Sequence, residues 1–331
     1  MNEIWIEKYR PPSLSEIVGQ DDIVATLRAF VKRRDIPHMI FAGPAGTGKT
    51  SAAIAMAIEL FGPSWKTDFL ELNSSNNRGI DTMRGHEERD KRWEKTVSVK
   101  DYARIMPSND LGFKIIFMDE ADMLTNEAQS ALRRTMEIYS STTRFIFSCN
   151  YSSQIIPPIQ SRCVILRFRQ VSPEAMRSRI RKIIESEKMK MGDPEIDAII
   201  DVSEGDMRRV MNMLQAVSML DTITEAKIYE IAGMASSSSM KKLLSTALEH
   251  KLFDEAVKQA EDMMVNAGMS GMDIIRGIHN VLRYSQIPAR IRLKALIAVG
   301  EAEFRLVEGS SDKIQVDALL ARLVNISSEP I

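Results

Sequence analysis

Short apolar runs alternate with amphipathic stretches through the first half of the chain. Five of these runs predict β-strands, at residues 38–42, 69–73, 114–118, 144–148 and 163–168. Three segments between and around them have the apolar spacing or the residue types of α-helices: 20–33, 50–60 and 126–139. Strands that alternate with helices are typical of a parallel sheet. The pattern therefore predicts an α/β domain over residues 1–168.

After residue 168 the pattern changes, and no further strand is predicted. Four helix starts follow, at residues 172–173, 193–194, 206 and 224. Each begins with Ser, Asp or Thr, which cap helix N-termini, and two of them continue with Pro, which favours the first helical position. The first helix is expected to reach about residue 191, the second to end near Gly205 and the fourth to stop at Gly233. We predict a small helical domain over residues 169–234.

Residues 235–331 form a third predicted domain. Residues 235–239 are one Ala and four Ser, small and polar without an apolar period, and they predict a linker. Five helices are predicted beyond it, at 240–250, 253–267, 271–284, 289–307 and 314–324. At the other end of the chain we expect residues 1–12 to be irregular, because Pro11 and Pro12 bar a helix there.

Composition narrows the class of protein. The 331-residue chain is 44% hydrophobic and 27% charged, with a net charge of −1, as in soluble globular proteins of two or three domains. No apolar run approaches the ~18 residues of a membrane span, and the N-terminus lacks the pattern of a signal peptide. The two cysteines, Cys149 and Cys163, cannot build a disulfide framework or a zinc site. We therefore expect an intracellular protein without a membrane partner.

The segment Gly-Pro-Ala-Gly-Thr-Gly-Lys-Thr at residues 43–50 fits the phosphate-binding loop G-x-x-x-x-G-K-[ST]. It lies between a predicted strand and a predicted helix, where backbone N–H groups and the helix N-terminus can face a phosphate. Lys49 is expected to reach the β- and γ-phosphates of ATP, and the Thr50 hydroxyl to bind Mg²⁺. The candidate nucleotide-binding residues are Gly43, Pro44, Ala45, Gly46, Thr47, Gly48, Lys49, Thr50 and Ser51.

A second motif, at residues 113–122, is an apolar strand that ends in carboxylates. Asp119 is placed to hold Mg²⁺, and Glu120 to orient or deprotonate the attacking water. An ordinary glycine-rich turn and an unrelated acidic strand end are the alternative interpretation. Because both motifs occur in order and each in its proper setting, the sequence predicts ATP binding and hydrolysis.

An α/β ATPase core followed by a small helical lid resembles the AAA+ ATPases, and further motifs resemble the clamp-loader subunits among them. These motifs occupy residues 5–11, 17–20, 72–80, 128–140, 148–150, 160–163, 205–209 and 304–309. The resemblance covers essentially the whole chain and is strongest to the small subunits of replication factor C. The residues at 151–153 and 161–163 resemble archaeal members of the family more than eukaryotic ones. This resemblance implies a cytoplasmic protein, whereas a eukaryotic member would be nuclear.

The resemblance implies a parallel-sheet ATPase core, a small helical lid and an all-helical C-terminal collar. It also implies a ring of four small subunits and one large subunit. With ATP and Mg²⁺ bound, such a ring opens a sliding clamp (PCNA-like) and places it on primer–template DNA, and hydrolysis releases the clamp.

The resemblance also implies roles for three polar side chains. Asn150 would be a first sensor that holds the attacking water; its alternative is a strand-end amide that caps a turn. Arg208 would be a second sensor on the lid, where a helical Arg is by default a surface charge. Arg162 would be an arginine finger acting in trans on the ATP of a neighbouring subunit. Its alternative is a tie between its own loop and a carboxylate of the same domain.

Two further sets of residues are implied by the resemblance. The adenine pocket would be lined by Tyr9, Arg10, Pro11 and Val18, with main-chain contacts as important as side chains. DNA would be held by its phosphates, and the matching positions are Arg78, Arg133 and Arg134. The arginine pair on the helix 126–139 can instead pair with Glu137.

The sequence departs from the family pattern at residues 85–98, a charged insertion of about a dozen residues, so clamp-contacting residues are not carried over. Two other functions compete. A DNA branch-migration motor of the same superfamily predicts a C-terminal winged-helix module with a β-hairpin, where this chain predicts helices. A non-catalytic clamp-loader scaffold predicts missing catalytic residues, and here all are present: Lys49, Thr50, Asp119, Glu120, Asn150, Arg162 and Arg208.

Overall fold

A parallel five-stranded sheet forms the centre of the N-terminal part of the protein. The computed structural model describes residues 4–75, 98–233 and 237–328. The strands are β1 (Met39–Ala42), β2 (Phe69–Asn73), β3 (Lys114–Asp119), β4 (Thr143–Cys149) and β5 (Val164–Arg167). They are arranged in the order β2-β3-β4-β1-β5, and every neighbouring pair is parallel. The predicted α/β fold is confirmed, and each strand ends within one residue of its predicted bounds.

The described α-helices fall into two groups. Those up to residue 187 are α1 (Trp5–Lys8), α2 (Asp21–Arg33), α3 (Lys49–Phe61), α4 (Val99–Arg104), α5 (Asn126–Ile138), α6 (Pro157–Gln160) and α7 (Pro173–Glu187). The remaining ones are α8 (Asp193–Ser203), α9 (Met207–Val217), α10 (Glu225–Ala232), α11 (Ser237–Leu248), α12 (Phe253–Asn266), α13 (Gly271–Tyr284), α14 (Ala289–Val307) and α15 (Asp312–Ser328).

The register of the sheet brings distant chain segments to one edge. Ala42 at the end of β1 pairs with Cys149 at the end of β4, and Asn73 at the end of β2 pairs with Asp119 at the end of β3. Because the strands are parallel, their carboxyl ends meet at the same edge, where α/β sheets bind ligands. The phosphate loop, Glu120 and Asn150 each follow one of these strand ends.

Two apolar clusters cover the two faces of the sheet. Successive side chains of a strand point to opposite faces, and β1 divides accordingly. Met39 and Phe41 pack into the cluster that includes α2 and α3, whereas Ile40 and Ala42 pack into the cluster that includes α4 and α5. All four are almost fully buried. The apolar run that predicted β1 is therefore explained by burial on both faces.

The chain divides into two compact units. The first consists of Met1–Met189 and Ser203–Gln215, and the second of Lys190–Val202 and Ala216–Ile331. The first holds the sheet, α7 and most of α9. The second holds most of α8, α10 and the C-terminal helices α11–α15. The division runs through the helical region that the sequence predicted after residue 168.

The C-terminal helices share one apolar core, to which Leu243, Ile278, Ala298 and Leu320 contribute buried side chains. In the described residues 237–328 the secondary structure is entirely helical, as predicted. None of the described helices combines the length and the apolar composition needed to cross a membrane.

Three sequence predictions are wrong in detail. Residues 5–8 form the short helix α1, because the two prolines come after it. Helix α7 ends at Glu187 and not near 191, since Lys188 adopts a left-handed conformation with φ of 55° and its N–H bonds back to Glu185 and Ile184. Residues 237–239 are not linker but the first turn of α11, since serine carries only a small penalty within a helix. Helix α4 was not predicted.

Candidate active site

The phosphate loop connects the end of β1 to the start of α3, as the motif requires. Gly43 has φ of 155°, and a Cβ atom there would lie 2.3 Å from the carbonyl oxygen of Phe168. Gly48 has φ of 96° and directly precedes α3. Both conformations are strained for residues with a side chain. The glycines of the motif therefore let the backbone curl close to β5 and turn into the helix N-terminus.

Lys49 and Thr50, the first residues of α3, point back toward the loop and the sheet edge. The Lys49 Nζ atom donates hydrogen bonds to the carbonyl oxygens of Gly43 at 2.7 Å and Pro44 at 2.8 Å. Burial lowers the pKa of Lys49, while the charge of Asp119 acts in the opposite direction. The Thr50 hydroxyl donates to Asp119 Oδ2 at 3.0 Å. The two sequence motifs thus meet through this hydrogen bond.

The carboxylates after β3 are held in fixed positions. Asp119 Oδ1 accepts a hydrogen bond from the Glu120 N–H at 3.0 Å. Glu120 has φ of 52°, a left-handed conformation that is uncommon outside glycine. Such conformations concentrate at active sites. The strand end therefore turns Glu120 away from the direction of β3, and both residues line the same cleft as the phosphate loop.

Asn150 follows β4 and lines this cleft beside Cys149 and Ser148. Its N–H donates to Asp122 Oδ2 at 3.0 Å, so Asp122 fixes the turn that carries the amide. Sequence reasoning gave Asp122 no role, although it lies in the quoted acidic motif. Burial raises the pKa of the Cys149 thiol to about 12, which keeps that side chain neutral beside the site.

The predicted adenine-pocket residues Tyr9, Arg10, Pro11 and Val18 all line the cleft. Two of their side chains are already engaged. The Tyr9 hydroxyl donates to Glu187, and Arg10 Nε donates to Glu7 at 3.0 Å. The main chain of this segment is therefore more available to a base than these two polar groups.

Arg179 and Gln20 hold chain segments around the site, and sequence reasoning assigned a role to neither. Arg179 Nη2 donates to the Tyr9 carbonyl at 2.8 Å and its Nη1 lies 3.4 Å from Glu16 Oε2. Gln20 is buried, and its side chain donates to the Arg169 carbonyl at 2.6 Å and accepts from the Arg169 N–H. The available sequence signal for Gln20 was its position in the motif at residues 17–20, whereas Arg179 gave none.

Helix α9 starts against the phosphate loop. The Met207 N–H donates to the Gly46 carbonyl at 3.0 Å, and Asp206 Oδ1 accepts from the Arg208 N–H at 2.7 Å. Arg208 lines the cleft, and its charge contributes to the lowered pKa of Lys49. Arg209 instead lies 3.4 Å from Glu204 on the surface. The structure thus brings the candidate second sensor to the loop.

Arg162 does not line this cleft. In the single chain its Nη2 atom lies 2.7 Å from Glu137 Oε1, and its Nη1 donates to the Pro158 carbonyl at 2.7 Å. The contact within its own domain, which the sequence left open as an alternative, is therefore present. Its action on a neighbouring subunit stays a prediction.

The candidate DNA contacts lie apart from the cleft on α5. Arg133 Nε lies 3.1 Å from Glu137 Oε1, so the alternative ion pair is formed. Arg134 is exposed. Arg78 lies outside the described residues, as does the charged insertion at 85–98 except for Ser98. Contact of these arginines with DNA stays a prediction.

Comparison with known proteins identifies the family. Residues 39–171 match the ATPase family associated with various cellular activities (AAA), residues 173–224 match the RFC1-like, AAA+ ATPase lid domain, and residues 235–322 match the replication factor C C-terminal domain. The chain is similar to the replication factor C small subunits of Picrophilus torridus, at 54% identity over 99% of both chains, and Thermoplasma volcanium, at 52% over 99% of both. The chain belongs to the replication factor C small-subunit family.

As a member of this family, the protein is an AAA ATPase and a component of a sliding-clamp loader. Its fold is also similar to the RuvB Holliday junction branch migration motor of Thermotoga maritima, with a TM-score of 0.51 and 18% identity over 78% of this chain and 91% of that one. At this identity the likeness concerns the fold alone. The branch-migration hypothesis also predicted a C-terminal β-hairpin, which the helical residues 237–328 do not contain.

Proposed function

We propose that the cleft binds Mg²⁺-ATP and that ATP hydrolysis in it times the loading of a sliding clamp onto primer–template DNA. The observation that carries this proposal is the 3.0 Å hydrogen bond between Thr50 and Asp119. It joins a hydroxyl and a carboxylate oxygen at the end of the phosphate loop, and Mg²⁺ prefers such oxygen ligands. When bound, Mg²⁺ would neutralise charge on the phosphate oxygens.

The candidate nucleotide-binding and catalytic residues of the cleft have proposed roles that fit their positions. The N–H groups of the phosphate loop, with the exception of Pro44, which has none, and the Lys49 ammonium would bind the phosphates. Glu120 would take a proton from the attacking water, and Asn150 would orient that water. Arg208 would report on the γ-phosphate, because the same helix start that carries it is bonded to Gly46 of the loop.

We propose that a complete site needs a second subunit, which supplies Arg162 in trans. An arginine finger stabilises the charge that develops on the transferred phosphoryl group. Exposed apolar side chains on α14 support assembly of the chain into an oligomer. Leu293, Ile297, Phe304 and Val307 are each more than 60% exposed, and their spacing places them along one side of the helix. The proposed assembly is a pentameric ring with one large subunit and further small subunits.

The remaining partners are a PCNA-like sliding clamp and primer–template DNA. Arg133 and Arg134, with Arg78, would contact DNA phosphates, so binding should be independent of base sequence and weaken with salt. The division into an ATPase core (1–168), a lid (169–234) and a collar (235–331) belongs to the same proposal. We place the protein in the cytoplasm, because the relatives named above are archaeal.

The test measures steady-state ATPase activity of the assembled complex with clamp, with primer–template DNA, with both, and with neither. We expect both together to stimulate hydrolysis more than either alone. In a pull-down, the clamp should bind the complex with a non-hydrolysable ATP analogue and not without nucleotide. ATPase activity that does not change when clamp and DNA are added would refute the proposed function.

A further inference from the structure

Glu137, near the C-terminal end of α5, binds two arginines through one oxygen atom. Its Oε1 lies 3.1 Å from Arg133 Nε, one helical turn earlier, and 2.7 Å from Arg162 Nη2, which follows α6. Arg133 is a candidate DNA contact and Arg162 the candidate arginine finger. A single carboxylate oxygen thus connects two residues that the proposed function assigns to different ligands.

The contacts of Arg162 orient its guanidinium group and use only some of its N–H donors. Nη1 donates to the Pro158 carbonyl at 2.7 Å and Nη2 contacts Glu137, so two anchors fix its plane. A guanidinium group has five N–H donors, and 39% of this side chain is exposed. Within the part of the chain that the structure describes, the remaining donors have no partner and can approach a phosphate from outside the domain. The pKa of Glu137 is lowered by the Arg133 hydrogen bond and by the charges of both arginines, so the carboxylate is charged at neutral pH.

We infer that Glu137 is a positioning residue for the arginine finger, and that Arg133 competes with Arg162 for it. The inference rests on the proposed function and adds a route by which DNA stimulates hydrolysis. Without DNA, the oxygen is shared between the two cations. When a DNA phosphate binds Arg133, only Arg162 remains in contact with Glu137 Oε1. The finger is then held more firmly in the orientation that a neighbouring subunit needs.

The energetics suit such an exchange. The side chains of Arg133 and Glu137 are 44% and 37% exposed, and exposed ion pairs are weak and easily replaced. A DNA phosphate is a strong acceptor for Arg and gains from release of bound counterions. Because the exchanged pair is weak, the resulting change in ATPase activity should be about twofold to fivefold, as expected for one exposed ion pair.

The first test compares Glu137→Gln with wild type in the assembled complex with clamp and primer–template DNA. Glu127→Gln, on the same helix in an exposed position without a role in the site, is the control for loss of one carboxylate. We expect Glu137→Gln to lower kcat about tenfold, since a misplaced catalytic group costs rate without weakening ground-state binding, and to leave KM for ATP unchanged. Glu137→Asp should recover part of kcat. A kcat equal to that of Glu127→Gln, or a loss expressed in KM, would overturn the inference.

The second test removes Arg133, which competes with Arg162 for Glu137. Arg133→Ala should raise ATPase activity measured without DNA about twofold to fivefold, and the rise should vanish in the Arg133→Ala/Glu137→Gln double variant. A purely structural role for Glu137 predicts no rise. DNA-free activity that stays level or falls in Arg133→Ala would overturn the competition.

The wild-type complex separates failure of this inference from failure of the proposed function. If clamp and DNA do not stimulate wild-type hydrolysis, the proposed function fails and the inference falls with it. If wild type is stimulated and Glu137→Gln is stimulated equally, the inference alone is wrong.

Discussion

The Thr50 hydroxyl lies 3.0 Å from Asp119 Oδ2, although the two residues are 69 positions apart in sequence. The parallel sheet makes this possible, because the carboxyl ends of β1 and β3 lie at the same edge. Thr50 is fixed at the second position of α3 and Asp119 at the last position of β3. The hydrogen bond is the structural link between the phosphate loop and the acidic strand end.

Binding and hydrolysis of ATP should be separable by mutation. Lys49→Ala removes a charge that acts on the phosphates in both the ground state and the transition state, so nucleotide binding should be lost. Glu120→Gln keeps the shape of the side chain but removes a general base. We expect normal ATP affinity and turnover lower by about 10²–10⁴. Equilibrium binding of a fluorescent ATP analogue and steady-state ATPase assays measure the two quantities. Equal loss of nucleotide binding in both variants would contradict these assignments.

Gly46 should tolerate no side chain, because α9 starts directly above it. A Cβ atom at Gly46 would lie 1.6 Å from Asp206 Oδ1, and the residue has φ of 66°. In Gly46→Ala, Asp206 must move and lose its hydrogen bonds to the start of α9, at a cost of about 1 kcal/mol. Arg208 would shift with it, and we expect ATPase activity to fall at least about tenfold.

The matched control is Gly233→Ala, where φ is 62° but, among the described residues other than its neighbours in the chain, no atom lies within 4 Å of the added Cβ. It carries the backbone strain without the collision, so its thermal stability should fall while its ATPase activity stays at the wild-type level. Thermal melting and ATPase assays of both variants make the comparison. Wild-type activity in Gly46→Ala would show that contact between the loop and α9 is unnecessary.

His38 should make stability depend on pH. Its Nδ1 accepts a hydrogen bond from the Phe145 N–H at 3.0 Å, which requires an unprotonated nitrogen. Burial, aided by the charge of Arg144, lowers the pKa of His38 to about 4 from 6.5. The unfolded chain therefore binds a proton more readily than the folded one. The stability that neutral His38 provides is complete above pH 6.5 and is lost as the pH falls from 6.5 toward 4.

NMR titration of the His38 ring, assigned by comparison with His38→Gln, tests this directly. We expect a midpoint near pH 4, and urea denaturation at several pH values should show a shallower decline for His38→Gln than for wild type between pH 6.5 and 4. A midpoint near 6.5 would mean that the ring is solvated and that its hydrogen bond is not maintained.

The phosphate loop, the five strands and most helices could be predicted because their signals are local. Gly43, Gly48 and Lys49 act within one turn of the chain, and the strands are apolar because both faces of the sheet are covered. The end of α7 at Glu187 could not be predicted, since the lysine that follows it, Lys188, carries no signal for a left-handed conformation. Contacts that only the tertiary fold creates, such as the hydrogen bond from Arg179 to the Tyr9 carbonyl, could not be predicted from the sequence either.

Arg133 and Arg162 show the same limit of prediction from sequence. Sequence reasoning named Glu137 as a partner for Arg133 by its spacing of four residues on α5. It could not foresee that Arg162 would reach the same oxygen, because α6 and the loop after it are brought to α5 only by the tertiary fold.

A mixing experiment tests most directly whether one ATP site is built by two subunits. One preparation of small subunit carries Arg162→Ala and the other Glu120→Gln, and rings are reconstituted from each alone and from both together. Each variant alone should be nearly inactive. In mixed rings some interfaces join an intact Glu120 to an intact Arg162, so ATPase activity should return.

Two controls make the result decisive. Arg162→Ala should leave ATP affinity of the isolated subunit almost unchanged, and native mass spectrometry should show rings that contain both variants. Recovered ATPase activity in these mixed rings is the predicted result. Mixed rings that stay as inactive as either parent would show that Arg162 does not act across the subunit interface, and would contradict the shared active site.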